Sequence, residues 1–339
     1  MWDINAFESG DYSHGSTSWP CCDRKKFKGT NALKKHINPT RIPIEEKESW
    51  RWLENLKQST ELLSQLFRCV HIGDRESDIY ELFCMAQELD THFLVRTCVD
   101  RLIEDGKQTV ADKMQASEIQ GIHTLEFQDA EGVRQKINLE LKYERLQLLA
   151  PVSKQKKYPS LGLTVIHAEE KETPTNRERI VWKLLTDLPI NSMYDAVEKL
   201  HWYALRWRIE TFHKILKSGC KADSSKLRTA QRITNLIAMF CILSWRIFWM
   251  TMINRSSPDA SPEMVFTVEE IKLLDQLIKT KQQEEKAQSL ASYLIKTARL
   301  GGYLARKSDP PPGFIVIWRG FLKLADILHG YLLGKNTCG

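Results

Sequence analysis

The sequence lacks the cysteine patterns of zinc-stabilised and disulfide-bonded proteins. Its eight cysteines are scattered, and no Cys-x-x-Cys pair is accompanied by a second pair at zinc spacing. No regular disulfide framework is present either. Thiols distributed in this way are typical of a reducing cytosol, where most are small buried apolar side chains. We therefore expect a cytoplasmic protein.

The sequence also lacks a secretion signal, because its first residues are polar and contain no apolar segment. One internal run, Ile233 to Ile253, is long and apolar enough to resemble a membrane span. Asn235, Ser244 and Arg246 interrupt this run, and its flanks are basic on both sides. The pattern therefore favours a buried central helix, and we expect no membrane association.

A strong charge of one sign is absent as well. The formal net charge is +6 and the sequence pI is near 8.8. A bias this mild is compatible with a polyanionic partner but does not identify one. The positions of individual charged residues must decide whether nucleic acid is the partner.

The 339 residues are enough for about two domains. Residues 1–43 are rich in Gly, Ser, Asp, Asn and Lys without a sustained period, which predicts an irregular lead-in. Ordered structure is expected from Ile44 onwards, where apolar residues recur at helical spacing.

A βαβ unit follows in the sequence. The short apolar run Cys69–Ile72 predicts a buried strand that ends at Gly73 and Asp74. A helix over Asp78–Leu89 and a second strand over His92–Thr97 come next. Two strands joined by a helix within so few residues predict parallel pairing.

A β-rich block separates this unit from the helices of the C-terminal half. It extends from about 105 to 190, and Ile137 to Tyr143 alternate apolar with polar side chains. This alternation predicts a half-buried antiparallel strand. Helices are predicted from Ser192 onwards, because Ser192 with Asp195 three residues later is a plausible N-cap.

The segment WYALRWRIETFHKILK, Trp202 to Lys217, carries an unusual set of charges. On a helix with about 100° per residue, four polar residues fall on one ridge: Tyr203, Arg206, Glu210 and Lys217. A separate apolar stripe would face the core: Leu205, Ile209, Phe212 and Leu216. The ridge fits a binding site, but taken alone it is more typical of a solvated helix face with an Arg206–Glu210 ion pair.

Asp74 adds a second carboxylate, at a strand end where α/β sheets place reactive groups. The alternative is that Asp74 caps the helix that follows. Carboxylate oxygens are the ligands that Mg²⁺ prefers, and paired ions activate the attacking oxygen and stabilise the leaving one in phosphoryl transfer. With Arg206 and Lys217 to hold phosphates, Asp74 and Glu210 predict half of a two-metal site.

The spacing Tyr-x2-Arg-x3-Glu-x6-Lys, from Tyr203 to Lys217, resembles the signature of DDE transposases of the insertion sequence four family. The resemblance extends from about Ile44 to Lys335. It includes further blocks in order: EEKESWRWLE, GDRESDIYE, HFLVR, VWKLLTDLP, LRWRIETFHKILKSG and ARLGGYLARK. Fixed residues at set intervals among these blocks make the resemblance specific.

The resemblance implies an α/β fold with an RNase H-like core over 44–260. A β-rich subdomain would be inserted at about 105–190, and a helical dimerisation region would occupy 261–339. The implied activity is cut-and-paste transposition with Mg²⁺ or Mn²⁺: cleavage at transposon ends, hairpin formation and resolution, and strand transfer. The implied partners are double-stranded DNA, as transposon ends and target, and a second copy in a homodimer. The implied location is the bacterial cytoplasm, at the nucleoid.

Carried over residue by residue, Asp74 resembles the second acidic metal ligand of the family and Glu210 the third. Three residues of the signature resemble its DNA contacts: Tyr203, Arg206 and Lys217. These assignments are expectations from the resemblance.

Two residues outside the signature are also implied. Arg96, which ends the HFLVR strand, resembles a phosphate contact, whereas on its own it reads as a surface arginine. Trp182 stands where the family has a tryptophan that stacks on a flipped base, whereas on its own it could be a core residue. Unstacking a base costs a few kcal/mol, and an indole face returns about 1–3 kcal/mol.

One part of the family pattern is missing. The family needs a first aspartate at the end of an apolar strand, and none of Asp3, Asp11 and Asp23 follows such a strand. The resemblance would place that strand before Met1, together with the end-recognition domain. We therefore expect a truncated chain with an incomplete metal site that does not transpose. The alternative function is a non-catalytic, dimerising inhibitor of intact transposase.

Overall fold

A computed structural model describes residues 42–63, 69–104, 106–128, 134–172, 174, 178–219, 226–278, 288–306 and 308–337. The chain forms two compact units, one ending at Ile209 and the other beginning at Glu210. The predicted lead-in and its three aspartates lie outside the described residues, apart from residues 42 and 43.

The first unit is built on one six-stranded sheet in the order β1-β2-β6-β5-β4-β3. The strands are β1 (Val70–Gly73), β2 (His92–Arg96), β3 (Gly121–Gln128), β4 (Arg134–Leu148), β5 (Leu161–Glu170) and β6 (Val181–Thr186). β1 and β2 are parallel, with Gly73 beside Val95, and this confirms the predicted βαβ unit. The other neighbouring strands are antiparallel.

The β-rich block is not a separate sheet. β6 pairs directly with β2, with Val95 beside Leu185, so the block continues the sheet of the βαβ unit. Backbone hydrogen bonds of β6 satisfy the edge of β2, and the expected β-rich insertion at about 105–190 stays a prediction. The predicted antiparallel strand around Ile137 is confirmed as part of β4.

Both faces of this sheet are covered, and alternate residues of each strand serve opposite faces. Phe93 and Val95 pack in one core cluster, whereas Leu94 between them packs in another. Leu185 and Leu184 divide in the same way. A sheet that is buried on both sides explains the nearly continuous apolar runs in β2 and β5.

Helices define the two faces. The helices of the first unit are α1 (Trp50–Leu63), α2 (Tyr80–Glu88), α3 (Val110–Ala116) and α4 (Met193–Ala204). α1, α2 and α3 contribute to the cluster that contains Phe93, and α2 stacks Phe83 on Phe93 at 4.6 Å between ring centroids. α4 contributes Leu200 to the cluster on the other side, which is called the α4 face below. Ser192 caps α4 as predicted, because its side chain accepts from the Asp195 N–H at 3.2 Å.

The second unit is helical. Its helices are α5 (Trp207–Ser218, which begins just before the boundary), α6 (Ala230–Ser256), α7 (Val268–Leu277), α8 (Leu290–Leu300) and α9 (Phe314–Thr337). A helical C-terminal region is thus confirmed.

The long apolar run forms α6, which is long and apolar enough to cross a membrane by length and composition alone. Its C-terminal half carries most of its buried residues, and Ile247 and Met250 are inaccessible to solvent. Arg246 donates to the Val265 carbonyl at 2.9 Å and forms an ion pair with Glu270. A paired charge in the middle of the helix supports the predicted packed helix for this half, whereas Ile242 in the other half is 70% exposed.

Helices α8 and α9 approach each other closely at two glycines. A Cβ added to Gly320 would lie 1.7 Å from the Thr297 carbonyl oxygen, and one added to Gly301 would lie 1.9 Å from the Val316 carbonyl oxygen. Only glycine permits backbones at such distances. These two residues therefore fix the contact between the helices.

Candidate active site

Asp74 directly follows β1, where the sequence predicted it. Its backbone is extended (φ −89°, ψ −163°), and its side chain accepts from the Glu76 N–H at 2.9 Å. Asp74 therefore caps the short 3-10 helix Arg75–Ser77, which was the alternative interpretation of this residue. Capping occupies one carboxylate oxygen and holds the side chain at the strand end.

Gly73 and Ser77 shape this strand end. The Ser77 hydroxyl donates to the Asp74 carbonyl at 2.8 Å. A Cβ on Gly73 would lie 1.9 Å from Ser77 Oγ, so a larger residue cannot precede Asp74 without displacing the turn. A glycine is thus required at position 73 by the backbone geometry here.

Arg96 ends β2 beside the end of β1. The last register pair is Gly73 with Val95, so Asp74 and Arg96 are the next residues on the two parallel strands. The Arg96 guanidinium donates to the Val181 carbonyl at 2.9 Å, which directs it along the sheet towards the start of β6. Arg96 is half-buried rather than a fully exposed surface arginine.

Trp182 and Tyr203 contact each other on the α4 face. Their rings meet edge to face, with centroids 5.5 Å apart and planes at 70°. Tyr203 is buried in the cluster on that face, and Trp182 is half-buried against it. Tyr203 is therefore a core residue that packs against Trp182. Trp182 also packs against this core cluster, and its stacking on a base stays a prediction.

Four of the predicted residues share one face. In β1 and β2, Ile72 and Leu94 belong to the α4 face, so alternation places Asp74 and Arg96 on that face too. Trp182 and Tyr203 pack against the same cluster. The structure thus gathers residues from four separate segments of the sequence at one region of the sheet.

The single ridge from Tyr203 to Lys217 is not present, and this expectation is corrected. α4 ends at Ala204 and α5 begins at Trp207, so Tyr203 belongs to α4 and Arg206 lies in the turn between the helices. The N–H groups of Arg206 and Ile209 bond to carbonyls three residues earlier, Tyr203 and Arg206. A turn tightened in this way has about three residues per turn, so an angle of 100° per residue does not extend across it.

Glu210 and Lys217 both lie on α5 and are exposed. They are seven residues apart, so they share one side of this helix. The apolar stripe is confirmed at Ile209, Phe212 and Leu216, whereas Leu205 is only half-buried. Glu210 begins the second unit. That Glu210 and Asp74 bind the same cation stays a prediction.

Within the described ranges, no three side chains of His, Cys, Asp or Glu are gathered as a metal site. The carboxylates of Asp74 and Glu210 have the right chemistry for Mg²⁺ or Mn²⁺, since these are hard cations that prefer oxygen. Two carboxylates from separate units do not by themselves form a complete two-metal site. No metal-dependent step is therefore assigned to these residues.

A cavity of about 360 Å³ lies on the opposite face of the sheet, beside α3. His167, Lys142 and Lys183 stand next to one another across β4, β5 and β6 on its floor. Burial, and then the two lysines, lowers the pKa of His167 to about 4, so its ring is neutral at pH 7. Strand alternation separates this cavity from Asp74, Arg96 and Trp182, and it is not part of the candidate site.

A buried ion pair next to the site was not predicted from the sequence. Asp78 and Arg101 lie 2.6 Å apart, with side chains 0% and 5% exposed. Asp78 was expected only to begin a helix, and Arg101 was not singled out. A buried charge can be found from sequence only when its partner is known, and here the partner is 23 residues away.

Two family models match the chain. The model described as "Transposase DDE domain" matches residues 53–245, which is more than half of the chain. The model described as "Transposase Tn5 dimerisation domain" matches residues 242–336. The first match includes every predicted site residue, and the second includes most of α6 and the helices α7 to α9. The chain therefore belongs to the DDE transposase family, and it resembles the Tn5-type members in its C-terminal region.

Proposed function

We propose that this chain is the catalytic and dimerisation part of a bacterial cut-and-paste transposase, acting on double-stranded DNA at the nucleoid. The observation that carries the proposal is the grouping of Asp74, Arg96, Trp182 and Tyr203 on the α4 face. These residues come from separate blocks, yet they are the ones that the family signature and its companion blocks single out. A chance motif gives no reason for such residues to assemble.

The proposed core is RNase H-like. Support comes from the parallel pair β1–β2 joined by α2, within a sheet that is otherwise antiparallel. Among the described residues, β1 has a hydrogen-bonded neighbour on one side only. We assign its other edge to the family strand that carries the first aspartate, because an apolar strand edge demands a partner.

In the proposed site, Arg96, Arg206 and Lys217 bind DNA phosphates, as guanidinium and ammonium groups do. Tyr203 holds the ring of Trp182 in place, and the other side of that ring stacks on an unpaired base. Asp74 and Glu210 are the proposed ligands of Mg²⁺ or Mn²⁺. When bound, such an ion activates an attacking oxygen and neutralises phosphate charge.

This chain by itself is proposed to bind DNA without cutting it, because the resemblance assigns only Asp74 and Glu210 among the three acids of the family. The test is an assay with purified chain, Mg²⁺ or Mn²⁺ and a short terminal-repeat duplex. We expect salt-dependent binding and no strand cleavage or transfer. Absence of binding would overturn the DNA site, and robust cleavage would overturn the incomplete metal site.

A second candidate function is a dimerising inhibitor of intact transposase. It is favoured by the end of α9, where the exposed side chains of Ile327 and Tyr331, four residues apart, form an apolar stripe on one side of the helix. This stripe lies within the matched Tn5-type dimerisation domain. A second copy of this chain, or an intact relative, is the proposed occupant.

Two variants test the dimer. Tyr331→Asp places a charge in the stripe, and His329→Asp places the same charge on the opposite side of α9. We expect Tyr331→Asp to weaken the dimer at least tenfold in sedimentation equilibrium, since a buried unpaired charge costs several kcal/mol. His329→Asp serves as the control and should leave association unchanged. Equal effects of the two variants would contradict the proposed interface.

Co-expression separates the two candidates. The chain and its Tyr331→Asp variant are each expressed with an intact relative, and transposition frequency is measured. Inhibition by the chain but not by the variant supports the inhibitor role. If neither the chain nor the variant inhibits transposition, the inhibitor function is excluded and only the first candidate function remains.

A further inference from the structure

We infer that Asp78 and Arg101 are positioning residues for the proposed DNA site. Their buried ion pair fixes the loop after β2 to the loop after β1, and thereby fixes Arg96 relative to Asp74. The inference rests on the proposed function, which gives Arg96 and Asp74 their roles.

The Asp78 carboxylate gathers the loop after β2. Its Oδ2 accepts from Thr97 Oγ1 at 2.8 Å, from the Cys98 N–H at 2.7 Å and from the Val99 N–H at 2.9 Å. Its Oδ1 lies 2.6 Å from Arg101 Nη2, a charge contact that is not aligned as a hydrogen bond. Three donors that converge on one oxygen fix the direction of this loop.

Arg101 connects the same two loops and anchors them to the core. Its guanidinium donates to the Asp78 carbonyl at 3.2 Å and to the Val99 carbonyl at 3.3 Å. The guanidinium also lies over the ring of Phe83, 5.3 Å from its centroid. Because Phe83 is fully buried in α2, the ion pair cannot move without disturbing the core.

The ion pair is close to the proposed site along both segments. Asp78 is separated from Asp74 by the 3-10 helix Arg75–Ser77, which the Ser77 hydroxyl ties to the Asp74 carbonyl. Thr97, which Asp78 binds, directly follows Arg96. A shift of either loop would therefore displace Asp74 or Arg96, because only a few backbone bonds separate the loops from these two residues.

Stability alone does not account for this ion pair. Apolar residues of similar volume are often as stabilising as a buried ion pair, because two charges must be desolvated. An apolar pair would not orient the N–H groups of Cys98 and Val99. The directional bonds are what a phosphate-binding arginine requires from its surroundings.

A double-mutant cycle tests the inference. Affinity for a short duplex is measured at fixed salt for the chain, Asp78→Asn, Arg96→Ala and the double variant. We expect Asp78→Asn to weaken binding about tenfold in the original chain and less than about twofold in the Arg96→Ala background. A residue that acts only on overall stability would give the same loss in both backgrounds.

Glu81→Gln is the matched control. Glu81 is also a buried carboxylate of the first unit, and it is paired with Lys154 rather than with the loops of the site. We expect it to lower thermal stability, as Asp78→Asn does, and to leave DNA affinity within about twofold.

Each outcome is decisive. Equal losses for Asp78→Asn in both backgrounds would overturn the positioning role. If the unsubstituted chain does not bind DNA, the proposed function fails, and hydrogen exchange of the Cys98 and Val99 amides then decides. Faster exchange in Asp78→Asn but not in Glu81→Gln supports the fixed loop, and unchanged exchange overturns it.

Discussion

Each of the two units of this protein is stabilised internally in a different way. The first is a sheet buried on both faces, in which neighbouring residues such as Leu94 and Val95 belong to opposite cores. The second is a set of helices in which Gly301 and Gly320 allow close backbone contact, and its last helix keeps an exposed apolar stripe. The rigid sheet suits residues that need fixed geometry, and the exposed helix suits association. Variants in each unit test this difference.

The largest effect is expected in the core of the sheet. Phe93 is fully buried and stacked on Phe83, so Phe93→Ala should lower the free energy of unfolding by about 3–5 kcal/mol. Leu62→Ala, at a residue that is 78% exposed, should change it by less than about 0.5 kcal/mol. Urea denaturation followed by tryptophan fluorescence provides the measurement. Similar losses for the two variants would show that this face does not carry the stability.

The helical unit should respond most strongly at its glycine contact. Gly320→Ala drives a methyl group into the Thr297 carbonyl and should cost about 3 kcal/mol. At Gly330 nothing lies within 4 Å of an added Cβ, so Gly330→Ala should stabilise α9 by up to about 1 kcal/mol. Hydrogen exchange of peptides from α8 and α9 distinguishes the two. Protection that is unaffected by Gly320→Ala would contradict the close approach.

The sheet unit should lose stability in mild acid. Burial, and then the nearby His92, lowers the pKa of His71 to about 4, whereas an unfolded histidine titrates near 6.5. As pH falls from 6.5 towards 4, the unfolded chain binds a proton that the folded chain does not, so stability decreases over this window. The part of this loss that is due to His71 should approach about 3 kcal/mol and level off below pH 4, and His167, whose pKa is also lowered to about 4, adds a second part. Urea midpoints at pH 7, 6 and 5 provide the test, and a His71→Gln variant with an equally steep slope would rule His71 out as the cause.

Apart from the exposed controls, the smallest effect on stability is expected at Trp182. Trp182→Phe keeps a ring against Tyr203 and should cost no more than about 1 kcal/mol. Trp182→Ala should weaken binding of a duplex with one unpaired base by about 1–3 kcal/mol, and affect fully paired DNA less. Fluorescence anisotropy with the two duplexes measures both affinities. An equal loss for both would assign Trp182 to the core instead of to a base.

Much of the sheet unit could be predicted from the sequence. β1, β2 and their parallel pairing follow from short apolar runs around one helix, and Asp74 follows from the strand end. The continuity of the β-rich block with this sheet could not be predicted, because it depends on pairing between β2 and β6, whose residues Val95 and Leu185 are 90 positions apart. Local periodicity contains no information about such pairing.

The sequence named Asp74, Arg96, Trp182 and Tyr203, which the structure places on one face of the sheet, but part of the predicted geometry was wrong. Tyr203 was expected on the same helix as Glu210, but the i to i+3 hydrogen bonds around Arg206 end α4 and begin α5. No proline or glycine marks this break, so helical spacing alone could not reveal it. Asp78 and Arg101 were missed because a buried ion pair gives no periodic signal.

The central claim is that the acid at the end of β1 and the acid in the first turn of α5 meet at one site. The direct measurement uses cysteine substitutions at both positions, Asp74→Cys with Glu210→Cys, a short bifunctional thiol reagent and mass mapping of the joined peptides. The control pair is Glu54→Cys with Glu210→Cys, because Glu54 lies on α1, which covers the face of the sheet opposite Asp74. We predict efficient cross-linking of the first pair and none of the second. Failure of the first pair, or equal cross-linking of both, would contradict the proposed transposase site.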